Sequence, residues 1–193
     1  MKREICLSAI IVASGESKRF GKENKLLHEI DGKKIIQYIV EKVVQSNVFS
    51  DIIIVTSFED VKRIFKSHSD IKIVMNSNSH LGISQSIKLG VENSSKDSLG
   101  YMFFQGDMPF LELETICEIV DKFSGNIDKI VSPKKNSPKI FSRDFKEELL
   151  NLKGDVGGKM IVLENMDKYI ELEFENISQF KDIDYIGDIY GKN

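Results

Sequence analysis

The feature that most constrains this chain is an alternation. Short apolar, β-branched runs are separated by longer stretches in which apolar residues recur every three or four positions. The runs cover residues 5–12, 51–56, 71–75, 100–105 and 129–132, with a later one at 169–174. Three of them are almost continuously apolar, as expected of strands covered on both faces in a parallel sheet. Between them, Ile35, Ile36, Ile39, Val40, Val43 and Val44 mark one helical face, and Val61, Ile64 and Phe65 a shorter one. Ile87 and Val91 mark the helix after Gly82, and Leu113, Ile116, Ile119, Val120 and Phe123 the helix after Pro109. The order predicts a doubly wound α/β fold with a mostly parallel sheet. Such sheets bind ligands beyond the carboxyl ends of their strands, which directs attention to the loops after Val12, Met75 and Gln105.

A length of 193 residues suits a single domain, and 41% hydrophobic content supplies its core. The net charge of −3 gives no sign of a nucleic-acid-coating surface. The apolar run at 5–12 is too short to span a bilayer and lacks a cleavage-type tail, so neither membrane insertion nor export is expected. Cys6 and Cys117 lie far apart inside expected elements and read as reduced thiols of a cytoplasmic protein. A monomer is expected.

The loop after the first strand reads Ala13-Ser14-Gly15-Glu16-Ser17-Lys18-Arg19-Phe20-Gly21-Lys22-Glu23-Asn24-Lys25. Small residues let backbone N–H groups turn toward an anion, and Arg19 and Lys25 can neutralise phosphate oxygens. A Walker A loop is excluded, because Gly15 and Gly21 are one residue too far apart and Lys22 precedes Glu23. A Gly-x-Gly-x-x-Gly dinucleotide fingerprint is absent. The alternative is a solvated basic turn. After the fourth strand, Gly106-Asp107-Met108-Pro109 places a carboxylate at the same sheet edge, suited to Mg²⁺ shared with substrate phosphates. The alternative for Asp107 is a turn role.

These residues carry a resemblance. The pattern Ala13-Ser14-Gly15-x-Ser17-x-Arg19-Phe20-Gly21-x-x-Asn24-Lys25-Leu26-Leu27 resembles the signature loop of the molybdenum cofactor nucleotidyltransferases, above all their cytidylyltransferase branch. Gly106–Pro109 is similar to that family's metal-binding turn. Asn76 followed by Gly82-Ile83-Ser84-Gln85-Ser86-Ile87 is similar to its Asn…Gly-x-Ser-x-Ser-Leu segment. Gly154-Asp155-x-Gly157-Gly158-Lys159 and Asp182-Ile183-Asp184-Tyr185-Ile186-Gly187-Asp188 resemble two further family segments, in the family's order.

The resemblance implies a GT-A-like nucleotidyltransferase architecture, with residues 1–110 as the NTP-binding half and 111–193 as the acceptor-binding half. It implies Lys25, Arg19 and Asp107 as catalytic residues. Substrate contacts would come from Ala13, Ser14, Gly15, Glu16, Ser17, Lys25, Asn76, Gly82, Ser84, Ser86, Gly106 and Asp155. Asp107 and Asp184 would hold Mg²⁺, or Mn²⁺ in its place, with Asp182 as the alternative second ligand. The donor would be CTP, for which Asn24 and the non-glycine Ser14 speak. The acceptor would be molybdenum-loaded molybdopterin, with transient docking to a molybdenum hydroxylase as a further implication. The three histidines need no catalytic role, and His80 reads as a solvated loop residue.

The chain departs from the family pattern at four places. Ser14 stands for alanine, Lys159 for arginine, and Tyr185-Ile186-Gly187 for Thr-Pro-Glu. The segment 133–138 is several residues short on the side where the acceptor is expected. Two other readings therefore stay open: a guanylyltransferase or other NTP transferase using a different phosphorylated acceptor, and a non-catalytic chaperone for cofactor insertion. For Asp155, the structural alternative is the cap of the helix that follows it.

Overall fold

The computed structural model describes residues 5–15, 20, 24–134 and 137–189. The strands are β1 (Leu7–Ala13), β2 (Glu29–Ile30), β3 (Lys33–Lys34), β4 (Asp51–Thr56), β5 (Ile71–Met75), β6 (Gly100–Gln105), β7 (Ile130–Pro133), β8 (Lys139–Ser142) and β9 (Tyr169–Leu172). The helices are α1 (Ile35–Ser46), α2 (Glu59–Phe65), α3 (Ile83–Asn93), α4 (Leu113–Ser124), α5 (Lys146–Asn151), α6 (Lys159–Glu164) and α7 (Ile186–Ile189).

Among the described residues one sheet has seven strands in the order β5-β4-β1-β6-β8-β7-β9. Strand β1 pairs in parallel with β4 through Ile10↔Ile53 and with β6 through Ile10↔Phe103. Its alternate residues feed two cores. Ala9 and Ile11 join Ile36, Ile39, Ile116 and Phe123 on the face covered by α1 and α4. Ile10 joins Ile87, Val91, Leu149 and Ile161 on the face covered by α3, α5 and α6. Helices on both faces explain why the parallel strands read as unbroken apolar runs. The architecture is the expected α/β fold with a mostly parallel sheet.

The path of the chain fixes where a ligand can sit. From β1 it moves outward to β4 and β5, then crosses back to β6 on the other side of β1. The strand order therefore reverses between β1 and β6, and the carboxyl ends of those two strands open onto a crevice. The loops 13–25 and 106–109 both leave the sheet at that point.

Two elements differ from the sequence expectation. Residues 139–142, outside the expected strands, form β8, which runs antiparallel to both β6 and β7. Four residues opening with Lys139 after Pro138 give a weak strand signal, and only pairing on both sides makes a strand of them. The shortened segment is therefore the turn of a β7–β8 hairpin. Because β7 runs parallel to β6, that turn lies at the ligand-binding edge. The second element is the β2–β3 hairpin, turned by Asp31 (φ 50°) and Gly32 (φ 77°). An Asp-Gly pair with both residues at positive φ matches the twist of a two-residue hairpin turn.

The C-terminal segment closes over the crevice side of α4. Gln179 is buried and its Oε1 accepts from Glu112 N at 3.1 Å and Thr115 Oγ1 at 2.7 Å, capping α4 from outside its own sequence. Phe180 and the fully buried Ile183 join the core on that face. Ile183 N then donates to Asp107 O at 3.0 Å. That bond sets residues 182–184 beside the end of β6.

Candidate active site

The crevice at the β1/β6 switch point encloses about 800 Å³. One wall is Ala13, Ser14 and Gly15 after β1, with Lys25 and Leu26 from the following 3-10 turn. The floor is Gln105, Gly106 and Asp107 after β6. The far wall is residues 79–83 and Ser86 at the start of α3, with Asp155 behind them and Asp184 at the rim.

Lys25 is placed by its own turn. Asn24 Oδ1 accepts from Leu26 N at 3.0 Å, and buried Leu26 anchors the turn in the core. This directs the Lys25 side chain across the crevice, where Nζ lies 2.5 Å from Asp107 Oδ2 and 3.3 Å from Asp184 Oδ1. Both Lys25 and Asp107 side chains are only 14% exposed. Burial raises the Asp107 pKa, opposed by the Lys25 ammonium beside it. Burial pulls the Lys25 pKa down, but its contacts with Asp107 and Asp184 outweigh that and leave it raised.

The second oxygen of Asp107, Oδ1, is buried without a hydrogen-bond partner among the described residues. Ligand atoms of Asp107, Asp182 and Asp184 lie within 4.8 Å of one another. A buried carboxylate with one unpartnered oxygen, close to two further carboxylates, is a donor set suited to a hard divalent cation. The residues present therefore fit such an ion.

The other expected site residues divide into three groups. Ala13, Ser14, Gly15, Gly82, Ser86, Gly106 and Asp155 line the crevice together with Lys25, Asp107 and Asp184. Asn76 and Ser84 are buried and do not line it. Asn76 instead donates from Nδ2 to Ser86 Oγ at 3.0 Å and accepts from Asn78 N at 2.9 Å, which ties the loop after β5 to α3. Glu16, Ser17 and Arg19 lie outside the described residues.

Some side chains on the wall turn away from the crevice. Ser14 Oγ donates to Val55 O at 3.0 Å inside the sheet, so it is the backbone of residue 14 that faces the crevice. Gly106 lies so close to the core that a Cβ there would meet Ile36 Cδ1 at 2.8 Å. The Asp155 carboxylate does not cap α6, the helix that follows it. It reaches the first turn of α3 and accepts from Ile83 N at 3.3 Å, while Gly154 O accepts from Ser84 N at 3.2 Å. Gly82, at φ 101°, is what lets the two segments touch, since a Cβ there would lie 2.3 Å from Gly154 C and O.

Residues 9–169 match the MobA-like NTP transferase domain. The chain belongs to that family. A probable molybdenum cofactor guanylyltransferase of Pyrococcus horikoshii is 30% identical over 152 residues, covering 74% of this chain and 73% of that protein. Its counterpart in Thermococcus sibiricus is 28% identical over 144 residues, 72% of this chain and 70% of that protein. The alignment with the Natranaerobius thermophilus counterpart, 30% identical over 129 residues, spans 66% of this chain and 60% of that protein. Among solved structures, Rv0371c of Mycobacterium tuberculosis superposes with a TM-score of 0.83 at 20% identity, over 97% of each chain. A nucleotidyl transferase of Methanothermobacter superposes with a TM-score of 0.82 at 18% identity, over 96% of this chain and 94% of that one. These two show a shared fold.

Within this MobA-like frame, sequence reasoning missed several residues. Gln105 lines the crevice, while His80, read as a solvated loop residue, is exposed on its far wall. From the C-terminal segment, Gln179 bonds the start of α4 and Asp188 accepts from Asp184 N. No local pattern marks Gln179. Asp188 had a signal, an acidic residue three positions into a short helix. No helix among the described residues is long and apolar enough to cross a membrane.

Proposed function

We propose that this protein transfers a nucleoside monophosphate from an NTP to the phosphate of a molybdopterin-type acceptor, with release of pyrophosphate. The observation that carries the reading is the gathering of Lys25, Asp107, Asp182 and Asp184 at the β1/β6 switch point. An acceptor phosphate oxygen attacks the α-phosphorus, and the bond from that phosphorus to the bridging oxygen of the departing pyrophosphate breaks. No protein nucleophile is needed, so catalysis rests on alignment and on charge stabilisation.

Mg²⁺, or Mn²⁺, held by Asp107 and Asp184 with Asp182 beside them, would neutralise charge on the phosphate oxygens. A solved structure of the Mycobacterium tuberculosis relative in complex with manganese supports a divalent ion in this fold. Lys25 leaves its carboxylates for the departing pyrophosphate as the triphosphate enters, and Arg19 assists it. The backbone of residues 13–15 would lie along the triphosphate, and Glu16 and Ser17 are proposed as further contacts to it. Ser86 and Gly82 face the nucleoside from the start of α3, held by Asn76 and Ser84. Asp155 orders the same helix start.

The donor base is CTP or GTP. The 154–159 segment, which is similar to one of the cytidylyltransferase branch, favours CTP, and the names of the relatives favour GTP. The Asn24 and Ser14 side chains make local bonds, to Leu26 N and Val55 O, and so weigh little on the choice. The test is pyrophosphate release from each of the four NTPs with Mg²⁺ and molybdenum-loaded molybdopterin. Turnover is expected with CTP or GTP above the other two, and competition between them assigns the base. Absence of release with every NTP overturns the acceptor. Faster release with a sugar 1-phosphate would move the acceptor to that class.

A further inference from the structure

Asp184 stands on a short, largely exposed segment near the end of the described chain, yet its carboxylate must meet Asp107 and Asp182 to within a few ångströms. Two anchors hold that segment. The first is the bond from Ile183 N to Asp107 O, already described. The second is Asp188. Its Oδ2 accepts from Asp184 N at 3.0 Å and from Tyr185 N at 2.8 Å, and its Oδ1 lies 3.0 Å from Lys181 Nζ. One carboxylate thus closes residues 181–188 into a ring.

The chemistry of this ring is one half of a capping box. Asp188 is the third residue of α7, and it reaches back to the amide of the residue before the helix, Tyr185. In the full arrangement that preceding residue returns a side-chain oxygen to the helix. Tyr185 has no short hydroxyl or carboxylate to offer, and the residue is 54% exposed. A four-residue helix has too few internal bonds to hold itself. The orientation of the Asp184 amide therefore depends on Asp188.

We propose that Asp188 is the positioning residue of the cation site: it touches no substrate, and it fixes the backbone that presents Asp184 to Asp107 and Lys25. The proposal rests on the reading of these carboxylates as a divalent-cation site. Asp188→Ala removes both amide bonds. Asp188→Asn keeps an oxygen that accepts from the same amides and gives up the charge opposite Lys181. Lys181→Ala removes that charge pair alone.

The test pairs Mn²⁺ affinity, read by electron paramagnetic resonance, with amide hydrogen exchange at Asp184 and Tyr185. Asp188→Ala should weaken Mn²⁺ binding about tenfold, the loss typical when a side chain that orients a metal ligand is removed. The same variant should speed exchange at both amides while those of β1 and β6 stay protected. Asp188→Asn should stay within about threefold of the unaltered protein, and Lys181→Ala should match it. Unaltered Mn²⁺ affinity and exchange in Asp188→Ala would overturn the proposal. So would equal loss in Asp188→Asn and Asp188→Ala, because charge rather than the amide bonds would then be responsible. If the unaltered protein binds no Mn²⁺, the cation reading fails by itself. Exchange at Asp184 and Tyr185 then decides whether Asp188 holds the turn: faster exchange in Asp188→Ala supports it, and unchanged exchange overturns it.

Discussion

Replacing Gly82 with alanine offers a test of how the far wall of the crevice is built. Gly82 has φ 101° and ψ 172°, a region that side chains rarely enter, and holding another residue there costs about 1–3 kcal/mol. The added Cβ would also lie 2.3 Å from Gly154 C and O and 2.5 Å from Asp155 N. These are backbone atoms, so no rotamer change relieves the overlap. Reaching an ordinary contact of 3.4 Å requires the 154–155 loop to withdraw by 1.1 Å, the difference between 3.4 and 2.3 Å. That shift breaks the bond from Ser84 N to Gly154 O at 3.2 Å and the bond from Ile83 N to the Asp155 carboxylate at 3.3 Å. Each such bond contributes about 1 kcal/mol net, discounted here for exposure at the crevice rim. The expected loss is about 3 kcal/mol in urea unfolding, or roughly 6–12 °C in Tm for a chain of this size. Gly125→Ala is the matched control, because a Cβ there meets nothing nearer than 3.9 Å. It should change stability by less than about 0.5 kcal/mol. A loss below about 1 kcal/mol in Gly82→Ala would refute the close approach of the two segments.

Other outcomes follow from the charged groups. Asp107→Ala and Lys25→Ala should each lower kcat on the order of 100-fold, by loss of charge stabilisation in the transition state, and a drop under about tenfold in both would remove them from the mechanism. Lys25→Met, which empties the space beside Asp107 and Asp184 of its resident ammonium, should bind Mn²⁺ in the absence of NTP at least about tenfold more tightly than the unaltered protein by titration calorimetry; equal affinity would show that Lys25 does not compete for those carboxylates. Burial pulls the Lys139 pKa from 10.5 down to about 8. Between those values the unfolded chain holds a proton the folded one has released. The stability of the unaltered protein relative to Lys139→Met should therefore rise with pH across that interval, by up to about 3 kcal/mol. Urea unfolding at pH 7 and pH 10 measures it, and a constant difference would refute the burial.

The parts legible in the sequence were those set by local periodicity. Buried parallel strands such as β1 and β4 announce themselves because both faces are apolar, and α1 and α4 because one face is. Lys25 and Asp107 could be placed at one edge because a doubly wound order fixes which loops share it. What local pattern could not supply was any contact made across the chain. Asp155 lines the crevice, and its carboxylate, rather than capping its own helix, reaches α3, more than seventy positions earlier. Asn76 and Ser84 belong to a matching motif, yet burial puts them behind the wall. Strand β8 takes its conformation from β6 and β7, and its four residues taken alone favour nothing. The β2–β3 hairpin is different, since Asp31-Gly32 states the turn outright and was legible all along.

Strand β8 also acts as a spacer. Running backwards between β6 and β7, it sets the carboxyl end of β7 two strand spacings, about 10 Å, from the carboxyl end of β6. A purely parallel order would have brought those ends to about half that distance and left no shelf between them. The sheet at this end is held by backbone pairing and by residues such as Ile140 and Phe141 that do not depend on the length of the turn joining β7 to β8. Residues can thus be gained or lost in that turn with little effect on the core, since loop closure costs rise only slowly with length. The connection is free to change in length, while the carboxylates beyond β6 stay where they are.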